Sequence, residues 1–146
     1  MKDLKQAILL LYPDPETGSK VLSVSRKDNH NLLGLPGGKA EEEETLIQGL
    51  VREVREEVGI ELDPTKLMFL FQDWDGEYDT LTYVYDGVVK DLPKLPFVNK
   101  EGAKVEYVTP EQLTNPSSSP FSEYNLKMFK RFIDDPDFIS FHKRIR

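Results

Sequence analysis

Gly38 to Ile60 reads GKAEEEETLIQGLVREVREEVGI. Ile47, Leu50, Val51, Val54 and Val58 recur at helical spacing and form an apolar stripe about 100° wide. Glu53, Glu56 and Glu57 stand beside it at i, i+3 and i+4. The pattern predicts an amphipathic helix from about Glu43 to Val58, stopped by Gly59 as a C′ residue. Glu41 to Glu44 then fall at the helix start, where the macrodipole favours negative charge. For Glu41, Glu42 and Glu43 that structural role is the reading. Neighbouring like charges on a helix cost about 0.2–0.5 kcal/mol per pair. A divalent cation removes that cost. Hard oxygen donors suit Mg²⁺ or Mn²⁺, whose shell is completed by water and substrate phosphates. A solvated acidic face is the plain alternative. Before the helix, Leu35-Pro36-Gly37-Gly38 supplies a turn that lets backbone come close, so a carbonyl of Gly37 or Gly38 can face a metal. Arg52 lies beside the acids and can pair with Glu44.

Gly38, five residues, Glu44, seven residues, then Arg52-Glu53-Val54-Arg55-Glu56-Glu57-Val58-Gly59-Ile60 resembles the Nudix hydrolase signature at all nine specified positions. The match covers 23 of 146 residues, and so many fixed positions make a chance match very rare. The resemblance, MutT-like in layout, implies an α+β fold: an α/β/α sandwich with a mixed sheet between helices. It implies hydrolysis of a nucleoside diphosphate linked to a further group, with Mg²⁺ as cofactor and Mn²⁺ able to substitute. Glu53, Glu56 and Glu57 would be metal ligands, with Gly37 favoured over Gly38 as carbonyl donor. Glu57 is also placed among the catalytic residues. Arg52 would hold the cluster in place. In the family a loop glutamate just before a late strand swings to the metal; Glu101 matches that position, with Glu106 as competitor. The water-activating base stays open between Glu53 and Glu101.

At 146 residues the chain suits one domain, 1–146, with a basic tail at 137–146. Apolar residues at 38% and charged residues at 31% make a soluble globular balance. A net charge of −7 argues against a nucleic-acid polymer as partner. It leaves small nucleotides open, since a bound metal reverses the local field. With no cysteine, disulfides, thiol catalysis and thiolate zinc sites are excluded. MKDLKQ followed by AILLLY is too short, too acidic at Asp3 and too soon ended by Pro13 to be a signal peptide. No stretch approaches the roughly 20 apolar residues of a membrane span. A cytoplasmic protein is expected.

Gln6 to Tyr12 predicts a buried central strand. A turn over Pro13–Ser19 leads to a second strand, Lys20–Arg26, antiparallel to the first. Leu32–Pro36 is extended. Lys66–Asp73 and Asp79–Val88 predict a hairpin turned at Trp74-Asp75-Gly76. Phe69, Phe71, Tyr83 and Tyr85 suit core or cross-strand packing. Pro93 and Pro96 keep Asp91–Asn99 irregular. Val105–Val108 is a short strand, Pro110 opens a helical turn, and Ser122–Ile133 is a second long helix. Tyr124, Leu126, Met128, Phe129 and Phe132 are its apolar contacts. The helix is broken at Asp134–Asp137. The tail 138–146 is a docked or frayed terminus or a homodimer contact, and His142 within it has no role. His30 is a surface residue.

Substrate contacts are drawn from several places. Arg26 and Lys27 close the second strand, where the family often meets phosphates. Lys39 follows the glycines and can reach a phosphate. Trp74 and Tyr78, at the hairpin tip, can stack on a base. A short chain of this kind suits a (d)NTP pyrophosphohydrolase giving a monophosphate and pyrophosphate. The branch that removes oxidised dGTP has a base-reading asparagine without a clear counterpart near Pro120-Phe121-Ser122. Tyr78, 18 positions past the box, resembles the mark of the dinucleoside-polyphosphate branch. The ADP-ribose branch often has a proline where Asp75 and Gly76 stand. Nucleotide sugars stay open, as does a nucleotide-binding module without catalysis.

Overall fold

The computed structural model describes residues 4–11, 20–86, 89 and 91–134. The elements are β1 (Lys5–Leu10), β2 (Val21–Ser25), β3 (Leu33–Gly34), β4 (Gly37–Gly38), α1 (Leu46–Val58), β5 (Leu67–Trp74), β6 (Asp79–Tyr85), β7 (Phe97–Val98), β8 (Lys104–Val108), α2 (Pro110–Thr114) and α3 (Ser122–Asp134). The fold is α+β with a mixed sheet, as expected. That sheet has the order β4-β1-β6-β5. β1 runs parallel to β6 and antiparallel to β4, so it is central. A second sheet, β3-β2-β8-β7, is antiparallel throughout.

From Ala7 onward β1 is continuously apolar because both its faces are covered there. Ala7 and Leu9 meet Leu50, Val54 and Val58 of α1. Leu10 and the half-buried Ile8 meet Tyr124, Met128, Phe129 and Phe132 of α3. The strand's period of two therefore feeds two cores, one under each helix. Tyr124 keeps its hydroxyl satisfied inside the second core. It lies 2.7 Å from Thr82 Oγ1 and donates to the Thr80 carbonyl at 3.0 Å.

Several boundaries differ from the sequence reading. α1 begins at Leu46 because Thr45 caps it. Thr45 Oγ1 accepts from Gln48 N–H at 3.1 Å, and Gln48 Oε1 accepts from Thr45 N–H at 2.8 Å. This reciprocal pair satisfies two end donors at once. Glu41 to Glu44 thus precede the helix, and its first turn holds no acid. Gly59 stops the helix as expected, at φ 86°, with its N–H on the Arg55 carbonyl. β1 and β2 do not form a hairpin. They lie in different sheets, and β2 instead pairs with β3 and β8. Gly37-Gly38 forms a strand as well as a turn. A Cβ on Gly37 would lie 2.2 Å from the Ala7 carbonyl oxygen, so only glycine allows this pairing. Phe97-Val98 makes a short strand despite Pro93 and Pro96. Leu126 is 61% exposed and leaves the core to its neighbours. Phe69 stacks edge-on against Tyr83 across the strands, and Phe71 against Tyr124. Tyr12, the turn Pro13–Ser19, Val88, the tail 137–146 and His142 lie outside the described residues.

The capping geometry is open to test. Thr45→Ala is expected to cost about 1 kcal/mol of stability, whereas Glu43→Gln stays within about 0.5 kcal/mol. Urea denaturation of both variants distinguishes a cap at Thr45 from a helix start at Glu43.

Candidate active site

α1 packs on β1 and β4, which sets its acidic flank beside the two glycines. Glu57 is the inner member of the cluster. Its Oε1 accepts the Gly37 N–H at 2.9 Å. Burial pushes its carboxyl up to about 8, against the pull of that N–H, and the charges of Glu53, Glu101 and Glu56 add to the rise. Glu53 lies over Gly38: a Cβ there would stand 3.0 Å from the Glu53 carboxyl carbon. Burial also raises Glu53, Arg52 opposes the rise, and Glu56 and Glu101 reinforce it. Glu56 is exposed on the next turn.

Arg52 sits at the centre of this charge. Its Nε and Nη2 bind the two Glu44 oxygens at 2.8 and 3.0 Å, a bidentate pair. Its Nη1 donates to Glu53 at 3.2 Å and to Glu56 at 3.3 Å. Nη2 also meets the Lys39 carbonyl at 3.3 Å. Hydrogen bonds from Arg52 and from the Glu41 N–H hold the Glu44 carboxyl below its ordinary range. The expected pairing of Arg52 with Glu44 is therefore present, and it joins the loop before α1 to the acids on α1.

Glu101 lies in the β7–β8 loop, which faces the C-terminal half of α1 across an open cavity of about 620 Å³. Glu56, Glu57 and Glu101 all line it. Asn99 fastens this loop: its Nδ2 donates to the Glu57 carbonyl at 3.1 Å. Sequence reasoning passed over Asn99, although asparagine two positions before a turn residue is a recognisable signal for a side-chain-capped loop. Glu106 instead pairs with Lys104 at 3.6 Å on β8.

The structure brings some substrate candidates to the acids and leaves others apart. Lys39 follows Gly38 directly, and its Nζ stands 5.4 Å from the centre of the Tyr78 ring. Tyr78 in turn lines a smaller cavity of about 100 Å³ that reaches Gly37. Gln6, Asp75 and Asn125 share that cavity, and none of them is among the substrate contacts expected above. Lys27 lies against Gly102, next to Glu101. Arg26 is exposed and paired with Asp28 at 3.3 Å. Trp74 is 58% exposed at the end of β5, with its N–H on its neighbour Asp73. His30 is exposed, as read, yet its Nε2 lies 2.8 Å from the Gly102 carbonyl oxygen.

The donor set suits a hard cation. Carboxylates and backbone carbonyls of Gly37 and Gly38 are oxygen ligands of the kind Mg²⁺ and Mn²⁺ take. Among the described residues no three acidic groups converge as a ready-made cage. Glu53 and Glu56 share Arg52 Nη1, while Glu57 is taken by the Gly37 N–H. Mg²⁺ needs no such cage, because one or two carboxylates with water and substrate phosphate satisfy it. The residues therefore fit the ion that the motif implies.

The raised Glu57 has a thermodynamic consequence. Its folded-state value, about 8, exceeds the ordinary 4.5, so the folded protein holds a proton that the unfolded chain releases. In EDTA its contribution to stability is greatest below about pH 4.5 and is lost as pH rises through about 8. Glu57→Gln removes this dependence, so its melting temperature should gain on wild type as pH rises from 5.5 to 8. Mg²⁺ should stabilise wild type more at pH 8 than at pH 6, because binding displaces the proton. Thermal melts with and without Mg²⁺ at the two pH values check both statements.

A family model described as NUDIX domain matches residues 4–132. No curated protein sequence matches. A protein from Chromobacterium violaceum assigned to the nudix hydrolase family aligns with TM-score 0.67 and 21% identity, over 99% of this chain and 93% of that one. MutT from Aliivibrio salmonicida and Vibrio cholerae aligns with TM-score 0.62 and 18% identity, over 86% and 98%. The ORF135 protein of E. coli aligns with TM-score 0.62 and 23% identity, over 93% and 94%. At these identities the likeness is one of fold. Among the described residues no helix is long and apolar enough to cross a membrane. With the family model spanning most of its length and the box acids gathered on α1, the chain belongs to the Nudix hydrolases, pyrophosphohydrolases of nucleoside diphosphate derivatives.

Proposed function

We propose that this protein is a Mg²⁺-dependent (d)NTP pyrophosphohydrolase that releases a nucleoside monophosphate and pyrophosphate, with Mn²⁺ able to replace Mg²⁺. The observation that carries the reading is the placement of a small cavity, lined by both apolar and amide side chains, and a cation beside the acids. Tyr78 and Gly37 line the cavity, Lys39 stands against the Tyr78 ring, and Glu57 accepts the Gly37 N–H. A base edge in the cavity would leave its phosphates over the carboxylates.

The cavity's amides support a base as occupant. Gln6 Nε2 is committed to Asp75 Oδ2 at 2.8 Å and Thr80 Oγ1 at 3.0 Å. Asn125 Nδ2 is committed to the Leu113 carbonyl at 2.8 Å. A carboxylate and a carbonyl only accept, so both amide orientations are fixed by their partners. Gln6 Oε1 and Asn125 Oδ1 would then serve as acceptors for the ring edge of a base.

Bound metal ions would neutralise phosphate charge and lower the pKa of a coordinated water. The water oxygen attacks the α- or β-phosphorus, the P–O bond to the oxygen bridging them breaks, and that oxygen leaves on the phosphorus that was not attacked. Glu53 or Glu101 accepts the water's proton. Glu56 and Glu57 hold the metal, and Arg52 keeps Glu53 and Glu56 on the same side of α1. Lys39 screens phosphate charge from the edge. A second reading, a dinucleoside polyphosphate as substrate, is favoured by one observation: the Lys39–Tyr78 pair offers a further ring a stacking surface.

Glu57→Gln should lower kcat on the order of 100-fold or more while leaving circular dichroism unchanged; undiminished turnover would remove the metal-site reading. Arg52→Ala should lose both turnover and about 1–3 kcal/mol of stability. The deciding assay incubates the protein with Mg²⁺ and canonical and oxidised dNTPs, ADP-ribose, nucleotide sugars and dinucleoside polyphosphates, then separates the products by anion exchange. Monophosphate with pyrophosphate from a triphosphate supports the proposal. Cleavage confined to the diphosphate-bridged compounds moves the assignment to them. No turnover with either metal leaves a nucleotide-binding module.

A further inference from the structure

Glu101 is exposed on the β7–β8 loop, whose one buried side chain is Ala103. The loop's order comes from polar contacts that converge on one residue. Asn99 Oδ1 accepts the Glu101 N–H and the Ala103 N–H, both at 3.0 Å. Asn99 N–H binds the Ala103 carbonyl at 2.8 Å, and the Asn99 carbonyl accepts from Gly102 N–H at 3.0 Å. The remaining end of the side chain, Nδ2, leaves the loop and donates to the Glu57 carbonyl at the end of α1. Two N–H donors on the oxygen and a carbonyl at the nitrogen leave only one orientation for this amide. The same side chain that shapes the turn therefore anchors it to the helix bearing Glu53, Glu56 and Glu57.

We infer that Asn99 is a positioning residue that sets Glu101 against the acids of α1. This rests on the assignment of Glu101 to the metal and water chemistry above. Glu101 lines the same cavity as Glu56 and Glu57. The outer edge of the loop has its own support, with His30 against the Gly102 carbonyl and Ser25 Oγ accepting from Lys104 N–H at 2.9 Å. Those contacts hold the loop to the end of β2 and to the segment that follows it. Asn99 alone among these links it to α1, and hence Glu101 to Glu57.

Asn99→Asp keeps the oxygen that receives the two N–H groups and removes the donor to Glu57. It should lower kcat about tenfold, within the usual cost of losing a partner that orients a ligand, with the KM for nucleotide changed less than about twofold. The test is a double-mutant cycle with Glu101→Gln, each variant assayed with Mg²⁺ and the best nucleotide of the panel. Asn99→Asp should cost little further in the Glu101→Gln background, because it acts through Glu101. Additive losses would overturn the positioning role, since a general structural defect is additive. Unchanged turnover in Glu101→Gln alone would overturn the assignment of Glu101 first, and the positioning role with it. A readout independent of turnover is the backbone ¹⁵N order parameter of residues 100–102. It should fall from about 0.85 toward 0.6 or below in Asn99→Ala. Order parameters equal to those of wild type would also count against the inference.

Discussion

Arg52 is the residue on which the site depends. Four carboxylates gathered on one helix flank and the loop before it would repel one another, and burial of Glu57 and Glu53 sharpens that cost. A single guanidinium answers three of the four. Its planar fork binds Glu44 at two points, while the remaining nitrogen reaches Glu53 and Glu56. A lysine in its place would offer one charge without the fork, and could not hold the loop and two helix turns together. Glu57, beyond its reach, is held by a backbone N–H instead.

That N–H comes from Gly37, which shows how closely the site is tied to the sheet. β4 exists because Gly37 lets the chain press against β1 with almost no clearance. The same proximity that builds the sheet edge presents one amide to Glu57 and makes room for Glu53 over Gly38. Gly49 does a similar service on the helix. A Cβ there would stand 2.8 Å from Ala40 Cα, so α1 can lie close to the loop that leads into it. The acids are placed by backbone contacts more than by side-chain packing.

Much of this was legible in the sequence because it is local. Box spacing, stripe and Gly59 lie within one helix, and the Arg52–Glu44 pair spans eight positions. The helix start was misplaced because a run of glutamates resembles a favourable first turn, while the Thr45–Gln48 pair behind it is the stronger signal. The β1–β2 hairpin was misjudged for a different reason. Two adjacent strands with a turn between them predict a pair, but alternation cannot say which sheet each will join. Asn99, Gln6 and Asn125 were invisible as site residues for the same cause. Their partners Glu57, Thr80, Asp75 and Leu113 lie 12 to 74 positions away along the chain.

The parallel pairing of β1 with β6 bears on how the protein is made. Gln6 bonds to Thr80, 74 positions later in the chain. At roughly 5–20 residues per second a ribosome needs about 4–15 s to supply that partner. For that interval β1 is an apolar strand with one edge unmatched, and α1 has only part of the surface it rests on. The acidic flank of α1 therefore cannot mature early in synthesis. It is assembled after β6 arrives, and the loop with Glu101 comes later still, so the chemistry is among the last features of the molecule to take shape.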